Sequence, residues 1–173
     1  QAAVAEQAAA DQAALLRIAG RTARLGGWII TLPDRTLTWS DETCIIHDLP
    51  PGHTPTLEEG INYFLPEHRA FVRRHVDACA QSGTAYDFEL PKITATGRQV
   101  WVRSIGEAVR DDHGRIIRLQ GAFQDVSETR QTQVALQESA VQLAESNRAW
   151  QMLSRCNEAV TRSTTEQELL QAV

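Results

Sequence analysis

The sequence predicts an α+β fold, a five-stranded antiparallel sheet with helices packed on one face, flanked by an N-terminal and a C-terminal helix. Residues 100–109 and 115–126 are β-rich runs joined by a turn-forming stretch at 111–114, which favours an antiparallel hairpin. Two shorter β-type runs lie before residue 40, and helical periodicity separates them from the later strands. Strands and helices therefore fall into separate groups along the chain.

The composition indicates one well-cored domain with helical extensions. The chain has 173 residues, of which 42% are hydrophobic and 23% charged, as in a soluble globular protein. A net charge of −5 without a basic patch argues against a nucleic-acid surface. No apolar run approaches the ~18 residues that span a bilayer, so no membrane contact is expected in this stretch. Because the chain begins with Gln1 and ends inside a helical pattern, we expect a piece of a longer protein, which could itself be membrane-anchored.

The cysteines favour a cytoplasmic location. Cys44, Cys79 and Cys156 occur singly, without a CxxC pair, and an odd number cannot form a closed set of disulfides. A reducing compartment is the simpler inference.

The first predicted elements are a helix over residues 1–25 and a hairpin. The helix is rich in Ala and Gln, with Gly20 and the Gly26-Gly27 pair bracketing its end. Its thin apolar stripe needs a partner, and the alternative is a solvated lone helix. The stripe contains Val4, Ala8, Leu15, Ile18 and Leu25. Strands at 27–32 and 36–39 follow, with a turn between them.

Three helices are predicted next. Ser40 begins a short helix that extends to about Leu49. Thr56 and Glu59 fit a capping box, and the helix behind them ends near Phe64. The third helix, at about 67–81, closes at Gly83. Its apolar stripe contains Phe71, Val72, Val76 and Cys79, with His75 in the same stripe.

Strands at 84–94, 100–109 and 115–126 complete the sheet, and Pro91 predicts a bulge or an edge in the first of them. Each strand has two different faces. One face of the second strand carries Val100, Val102, Ser104, Gly106 and Ala108, and the other carries Trp101, Arg103, Ile105, Glu107 and Val109. The pattern leaves open which face is inward.

The order and spacing of these motifs resemble a PAS domain of the bacterial sensory-box type (PAS_3-like) over residues 26–126. The resemblance rests first on Gly26-x-Trp28 and on Thr38-Trp39-Ser40. The stretch Leu-Pro-Glu-His-Arg at 65–69 stands where the family usually has His-Pro-Asp-Asp-Arg. The closing step is Asp125-Val126-Ser127. The resemblance implies a sensory module. No Ser/His/Asp order, phosphate-binding glycine loop or HExxH motif is present, so no enzymatic activity is expected within these residues.

In this family the Asp-hydrophobic-Ser/Thr step links the sensor sheet to an output helix, so the resemblance assigns signal relay to Asp125, Val126 and Ser127. The Asp of this step often pairs with a basic residue, and Arg103 and Arg130 are the candidates here.

Residues 127–162 predict a signalling helix that forms a short parallel coiled coil. Leu136, Leu143 and Trp150 recur every seven residues, with Ala140 and Asn147 at the complementary core positions. We therefore expect a homodimer through the N- and C-terminal helices, with Asn147 fixing the register. The alternative is a single amphipathic helix folded back on the sheet.

Residues 163–173 predict a break at Ser163-Thr164-Thr165 and a new helix. The end of the chain resembles the leading helices of a GAF domain. Expected partners are downstream GAF-like and output domains of the same chain, such as a cyclic-di-GMP cyclase or phosphodiesterase, or a histidine kinase of a two-component system.

Candidate residues for a ligand cavity are Trp28, Trp39, Trp101 and His75, with aromatic packing as the alternative. Some PAS domains hold haem through a His on the helix that carries His75, although a core histidine is favoured here. His75 and Cys79 have metal-ligand spacing, with His68 as the one obvious third ligand, and no metal site is predicted.

The cofactor is left open by the sequence. The flavin-adduct motif Asn-Cys-Arg-Phe is absent, since Cys44 lies in Thr-Cys-Ile-Ile. The expectation is no cofactor or a small organic ligand, with haem or noncovalent flavin as alternatives. Two function classes follow: a ligand sensor, or a ligand-free dimerisation and relay element.

Overall fold

The computed structural model describes the backbone of residues 2–171 and the side chains of residues 7, 11, 12, 14, 15 and 17–155. The chain forms two compact units, residues 1–127 and 128–173. Within the described part, no helix has both the length and the apolar character needed to cross a membrane. In chain order the elements are α1 (Ala2–Ala23), β1 (Leu25–Thr31), β2 (Thr36–Trp39), α2 (Asp41–Ile46), α3 (Leu57–Asn62), α4 (Pro66–Ser82), β3 (Tyr86–Ile93), β4 (Gln99–Arg110), β5 (Ile116–Asp125) and α5 (Ser127–Gln171).

The five strands form one antiparallel sheet in the order β2-β1-β5-β4-β3, which confirms the predicted α+β class. The long strands β4 and β5 are central, and the N-terminal strand β1 pairs with the C-terminal strand β5. β3 is an edge strand, as Pro91 predicts, because proline cannot donate to a neighbouring strand.

The core lies between one face of the sheet and the helices. On β4 the buried side chains include Val100, Val102 and Ser104, whereas Ile105 on the opposite face is 39% exposed. This is the alternation that the sequence shows, and the structure now identifies the inward face. The helices contribute Cys44, Ile46, Ile61, Val72, Val76 and Cys79 to the same core.

Local capping signals act at the three predicted positions, although α2 ends at Ile46 and not near Leu49. The Ser40 side chain accepts from the Thr43 N–H at the start of α2. Thr56 and Glu59 form the complete capping box of α3. Gly83 ends α4 in the left-handed conformation, with φ 79°.

α1 ends between Gly20 and the Gly26-Gly27 pair, as predicted, whereas α5 differs from expectation. α1 continues through Gly20 and ends at Ala23, because Arg24 adopts a positive φ of 48° and turns the chain into β1. α5 continues through Ser163–Thr165, so the predicted break there is wrong. No Gly or Pro interrupts residues 127–171, and Ser and Thr each cost less than about 0.7 kcal/mol in a helix, which is too little to end it.

Candidate functional site

A small cavity lies in the core between the inner face of the sheet and helices α3 and α4. Its volume is about 30 Å³. Aromatic and aliphatic side chains form most of the wall, with Ser104 and Tyr86 adding hydroxyl groups. The lining consists of Trp28, Ile30, Leu37, Trp39, Leu57, Gly60, Ile61, Phe64, Val72, Val76, Tyr86, Ser104 and Phe123.

Two tryptophans that line this cavity carry buried indole N–H groups without a hydrogen-bond partner. Trp28 is 3% and Trp39 5% exposed, and the Nε1–H groups of both are buried without a hydrogen-bond partner. A buried donor left unpaired costs about 1–3 kcal/mol. A larger hollow of about 570 Å³ on the opposite side of the sheet is open to solvent.

Next to the cavity lies a buried pair of basic side chains, Lys92 on β3 and His47 just after α2. Both are 0% exposed, and Lys92 Nζ lies 2.8 Å from His47 Nε2. His47 Nδ1 lies 2.7 Å from the carbonyl oxygen of Thr43, which can only accept, so Nδ1 carries the proton and Nε2 accepts from Lys92.

Aromatic rings enclose the amine. Lys92 Nζ is 4.1 Å from the ring centre of Phe123 and 4.2 Å from that of Phe64. The His47 ring stacks on Trp39 at 4.2 Å between centroids. Among the described residues, no carboxylate forms an ion pair with Lys92. A buried amine without a counter-charge is costly as an ammonium ion.

Burial shifts the pKa of both groups in the same direction. It holds the pKa of Lys92 well below its ordinary value. It also lowers the pKa of His47 below its ordinary value. Both are bases, so burial favours their neutral forms.

The four predicted cavity residues do not come together. Trp28 and Trp39 line the cavity, but Trp101 lies on the opposite face of β4, and grouping it with them was wrong. The alternation of the strand places its even-numbered residues inward. His75 is half-buried and packs between Phe71 and Phe88, and its Nδ1 bonds to the carbonyl oxygen of Phe71 at 2.9 Å. His75 does not line the cavity.

The cavity does not fit haem or flavin. Pockets for cofactors and drug-sized ligands measure roughly 300–1,000 Å³, whereas this one has about 30 Å³. Trp39, Phe64 and Phe123 fill the remaining space. Within the described residues, no three His, Cys, Asp or Glu side chains are grouped as metal ligands.

The predicted relay step forms a hydrogen-bonded junction at the end of β5. Asp125 Oδ1 accepts from the Ser127 N–H at 3.0 Å, and the Asp125 N–H donates to the Arg24 carbonyl oxygen at 3.0 Å. The backbone of Trp101 donates to Ser127 Oγ and accepts from the Val126 N–H, both at 2.9 Å. Val126 is buried. The junction therefore connects β5 both to the residue after α1 and to β4.

The charged partner of Asp125 within the first unit is Arg24, with Nη1 at 4.0 Å from Oδ2. Arg103 instead forms a two-pronged ion pair with Asp87, with one bond at 2.8 Å, so its predicted pairing with Asp125 was wrong. In the register of β3 and β4, Arg103 lies opposite Glu89 and Asp87 lies opposite Ile105, so this ion pair is a diagonal contact across the sheet surface. The pairing with Arg130 stays a prediction.

Sequence reasoning missed Lys92 and His47. The two residues are 45 positions apart and meet only in the folded sheet. One sequence signal was available: Lys92 is the only lysine beside sixteen arginines. A single lysine directly after a strand proline is a weak indication that the side chain is buried and not on the surface.

Comparison with known proteins gives one family match. The model of the PAS fold family (PAS_3) matches residues 36–123, just over half of the chain. The sensor protein FixL of Bradyrhizobium diazoefficiens is 22% identical over 112 residues, which are 65% of this chain and 22% of FixL. The chain thus spans about a fifth of that relative.

Solved structures show the same fold. A sensory box histidine kinase/response regulator from Burkholderia thailandensis superposes with a TM-score of 0.57 at 24% identity, over 75% of this chain and 98% of that one. The N-terminal domain of a diguanylate cyclase with PAS/PAC sensor from Marinobacter aquaeolei superposes with a TM-score of 0.56 at 20% identity. The match covers 61% of this chain and 98% of that one.

Proposed function

This chain belongs to the PAS fold family, and we propose that it is the sensory and dimerisation module of a bacterial signalling protein. In this proposal a change in the core alters the end of β5, and Asp125, Val126 and Ser127 transmit it to α5. The full-length protein would be a histidine kinase or a cyclic-di-GMP cyclase or phosphodiesterase in the cytoplasm, with residues 163–173 leading into a GAF-like domain.

The junction is the observation that carries the proposal. Its four hydrogen bonds connect the last strand, the central strand β4 and the residue after α1 immediately before a helix of 45 residues begins. A displacement of β5 must therefore stretch or break bonds beside the first turn of α5. The same bonds support relay whether or not a ligand occupies the core, so a ligand-free relay remains the second candidate.

Dimerisation is supported by the surface of α5. Leu136, Leu143 and Trp150 are 70%, 64% and 70% exposed in the single chain. Apolar side chains repeated at seven-residue spacing on one helix favour a second copy of the same helix. In α1, Leu15 and Ile18 are also exposed. Val4 and Ala8 of its predicted stripe lie outside the described side chains.

Replacing Asp125 with Ala in the full-length protein tests the relay. The variant loses the acceptor for the Ser127 N–H, which costs about 0.5–1.5 kcal/mol of unfolding free energy and leaves the domain folded. We expect the output activity to stop responding to the signal while the basal activity persists.

The matched control is Asp112→Ala, which removes an exposed carboxylate from the turn between β4 and β5. The control should keep the wild-type response. Regulation that survives in Asp125→Ala would overturn the relay.

A further inference from the structure

A polar cleft lies in the first unit between the end of α1, helix α2 and the end of β5. Its volume is about 440 Å³, which lies in the range of roughly 300–1,000 Å³ that is usual for small-molecule sites. The core cavity is far smaller. Asp125 of the relay junction lines the cleft, so a molecule bound there would lie beside the junction.

Two opposite charges in this cleft have no partner within the described part of the chain. Arg21, in the last turn of α1, and Glu42, on α2, both line the cleft. Among the described residues, neither side chain forms a hydrogen bond or an ion pair, and the two do not pair with each other. Glu42 is half-buried, so its carboxylate has lost part of its contact with water.

The other charged side chains of the cleft already have partners. Arg98 donates to the Asp48 carboxylate through Nη2 at 2.7 Å and through Nε at 3.2 Å. Arg24 Nη1 lies 4.0 Å from Asp125 Oδ2. The charges left for a ligand are therefore one guanidinium and one carboxylate.

An aliphatic surface completes the cleft. Ile45 is 51% exposed, and the buried Ile46 lies next to it in the wall. Gly20 leaves room beside Glu42, because a Cβ at this position would lie 3.6 Å from Glu42 Cγ and only 2.9 Å from the carbonyl oxygen of Leu25. An aliphatic group bound at Ile45 would remove apolar surface from water.

We propose that this cleft binds a free α-amino acid with an aliphatic side chain, such as leucine. Arg21 would pair with its carboxylate, Glu42 with its ammonium group, and Ile45 would contact its side chain. The inference rests on the proposed sensory function, because it names the ligand class of that sensor. Binding makes and breaks no covalent bond.

The two unpaired charges select this class. A guanidinium matches the two oxygens of a carboxylate, and a carboxylate accepts from an ammonium group. An inorganic anion would leave Glu42 unpaired, and a simple amine would leave Arg21 unpaired. A metal ion does not fit, since no three His, Cys, Asp or Glu side chains are grouped as ligands within the described residues.

Arg24 connects the cleft to the relay junction. Its N–H donates to the carbonyl oxygen of Arg21 at 3.2 Å, and its own carbonyl oxygen accepts from the Asp125 N–H at 3.0 Å. Its guanidinium lines the cleft. A carboxylate bound at Arg21 would therefore also attract Arg24 and weaken the attraction between Arg24 and Asp125.

The test is isothermal titration calorimetry of the 173-residue chain with leucine and three analogues. 4-Methylpentanoate lacks the amino group, leucinamide lacks the carboxylate, and glycine lacks the aliphatic side chain. We expect saturable binding of leucine that is about tenfold tighter, or more, than binding of each analogue. Leucine heats that do not saturate would overturn the proposal, and an analogue that binds as tightly as leucine would contradict the contact assigned to its missing group.

Two variants assign the charges. Arg21→Gln should remove the preference for leucine over leucinamide, and Glu42→Gln should remove the preference for leucine over 4-methylpentanoate. The matched controls are Arg17→Gln, one turn earlier on α1, and Glu67→Gln on α4, which are exposed and do not line the cleft. Both controls should bind leucine as the wild type does. Equal losses in controls and variants would show a general effect of charge and contradict the site.

The ligand and the relay can fail separately. A chain that does not bind leucine but loses regulation in Asp125→Ala would retain the proposed function and overturn the ligand class. A chain that binds leucine while regulation survives in Asp125→Ala would retain the site and overturn the relay.

Discussion

Lys92 illustrates at the scale of one residue how the fold can hold a group that its sequence neighbours do not explain. It is the only lysine of the chain, and it is fully buried against two phenyl rings and an imidazole. A hydrogen bond to His47 replaces one of the three that water would provide. The remaining cost of burying the amine lowers the pKa of Lys92 well below its ordinary value.

The titration of Lys92 can be followed directly because a protein labelled at lysine gives one side-chain signal. We predict that its ¹³Cε resonance titrates well below the ordinary lysine value of 10.5. The control is Arg118→Lys, which adds an exposed lysine that should titrate near ~10.4. If both signals titrate together, Lys92 is not in the environment described here.

The same group makes stability depend on pH. The pKa of Lys92 is lower in the folded than in the unfolded chain, so the unfolded chain binds more protons between the two values. The free energy of unfolding should therefore rise with pH up to about 10.5, by at most ~1.4 kcal/mol per unit, relative to Lys92→Met. Denaturation of both proteins at pH 7, 8, 9 and 10 measures this difference. A constant difference would count against a neutral Lys92.

At the scale of single elements, the sequence predicts what depends on neighbours in the chain. The caps at Ser40, Thr56 and Gly83 involve residues within four positions, and all three are confirmed. Pro91 predicts a bulge or an edge in β3, and the structure has the edge. The sequence also shows which residues share a face of a strand, because successive side chains of a strand point to opposite faces.

Features that depend on distant packing could not be predicted. Which face of β4 is inward depends on where α3 and α4 dock, and this decided the place of Trp101 and Arg103. The partner of Asp125 in the first unit, Arg24, lies about a hundred residues earlier and is reached through the pairing of β1 with β5. The contact between His47 and Lys92 likewise joins residues that are far apart in the sequence.

The seam of α5 gives a prediction at the element scale. Leu143→Glu should weaken the dimer roughly 100-fold or more, since burial of each of the two lost leucines is worth about 1.5–3 kcal/mol. Gln142→Glu, one position off the seam, should leave the dimer intact. Light scattering across a concentration series measures the dissociation constant of both variants. Equal dissociation constants would exclude a seam at this position.

At the scale of the whole molecule, the two units are proposed to have separate tasks. Residues 1–127 hold the cavity, the buried pair and the junction, while α5 carries exposed apolar side chains at seven-residue spacing. The proposal requires that a change in the first unit reaches the second through three residues. Family membership and the fold of the first unit are shown, whereas this coupling is the central claim.

The most direct measurement of the coupling is the distance between spin labels at residue 142 in the dimer. Labels on Gln142→Cys, in a chain with Cys156→Ser and with Cys44 and Cys79 buried, report the separation of the two copies of α5. Asp125→Ala should shift the distance distribution by about 1–2 Å or more, while Asp112→Ala should not. The same distribution in all three proteins, or no distance between labels, would contradict relay through the junction.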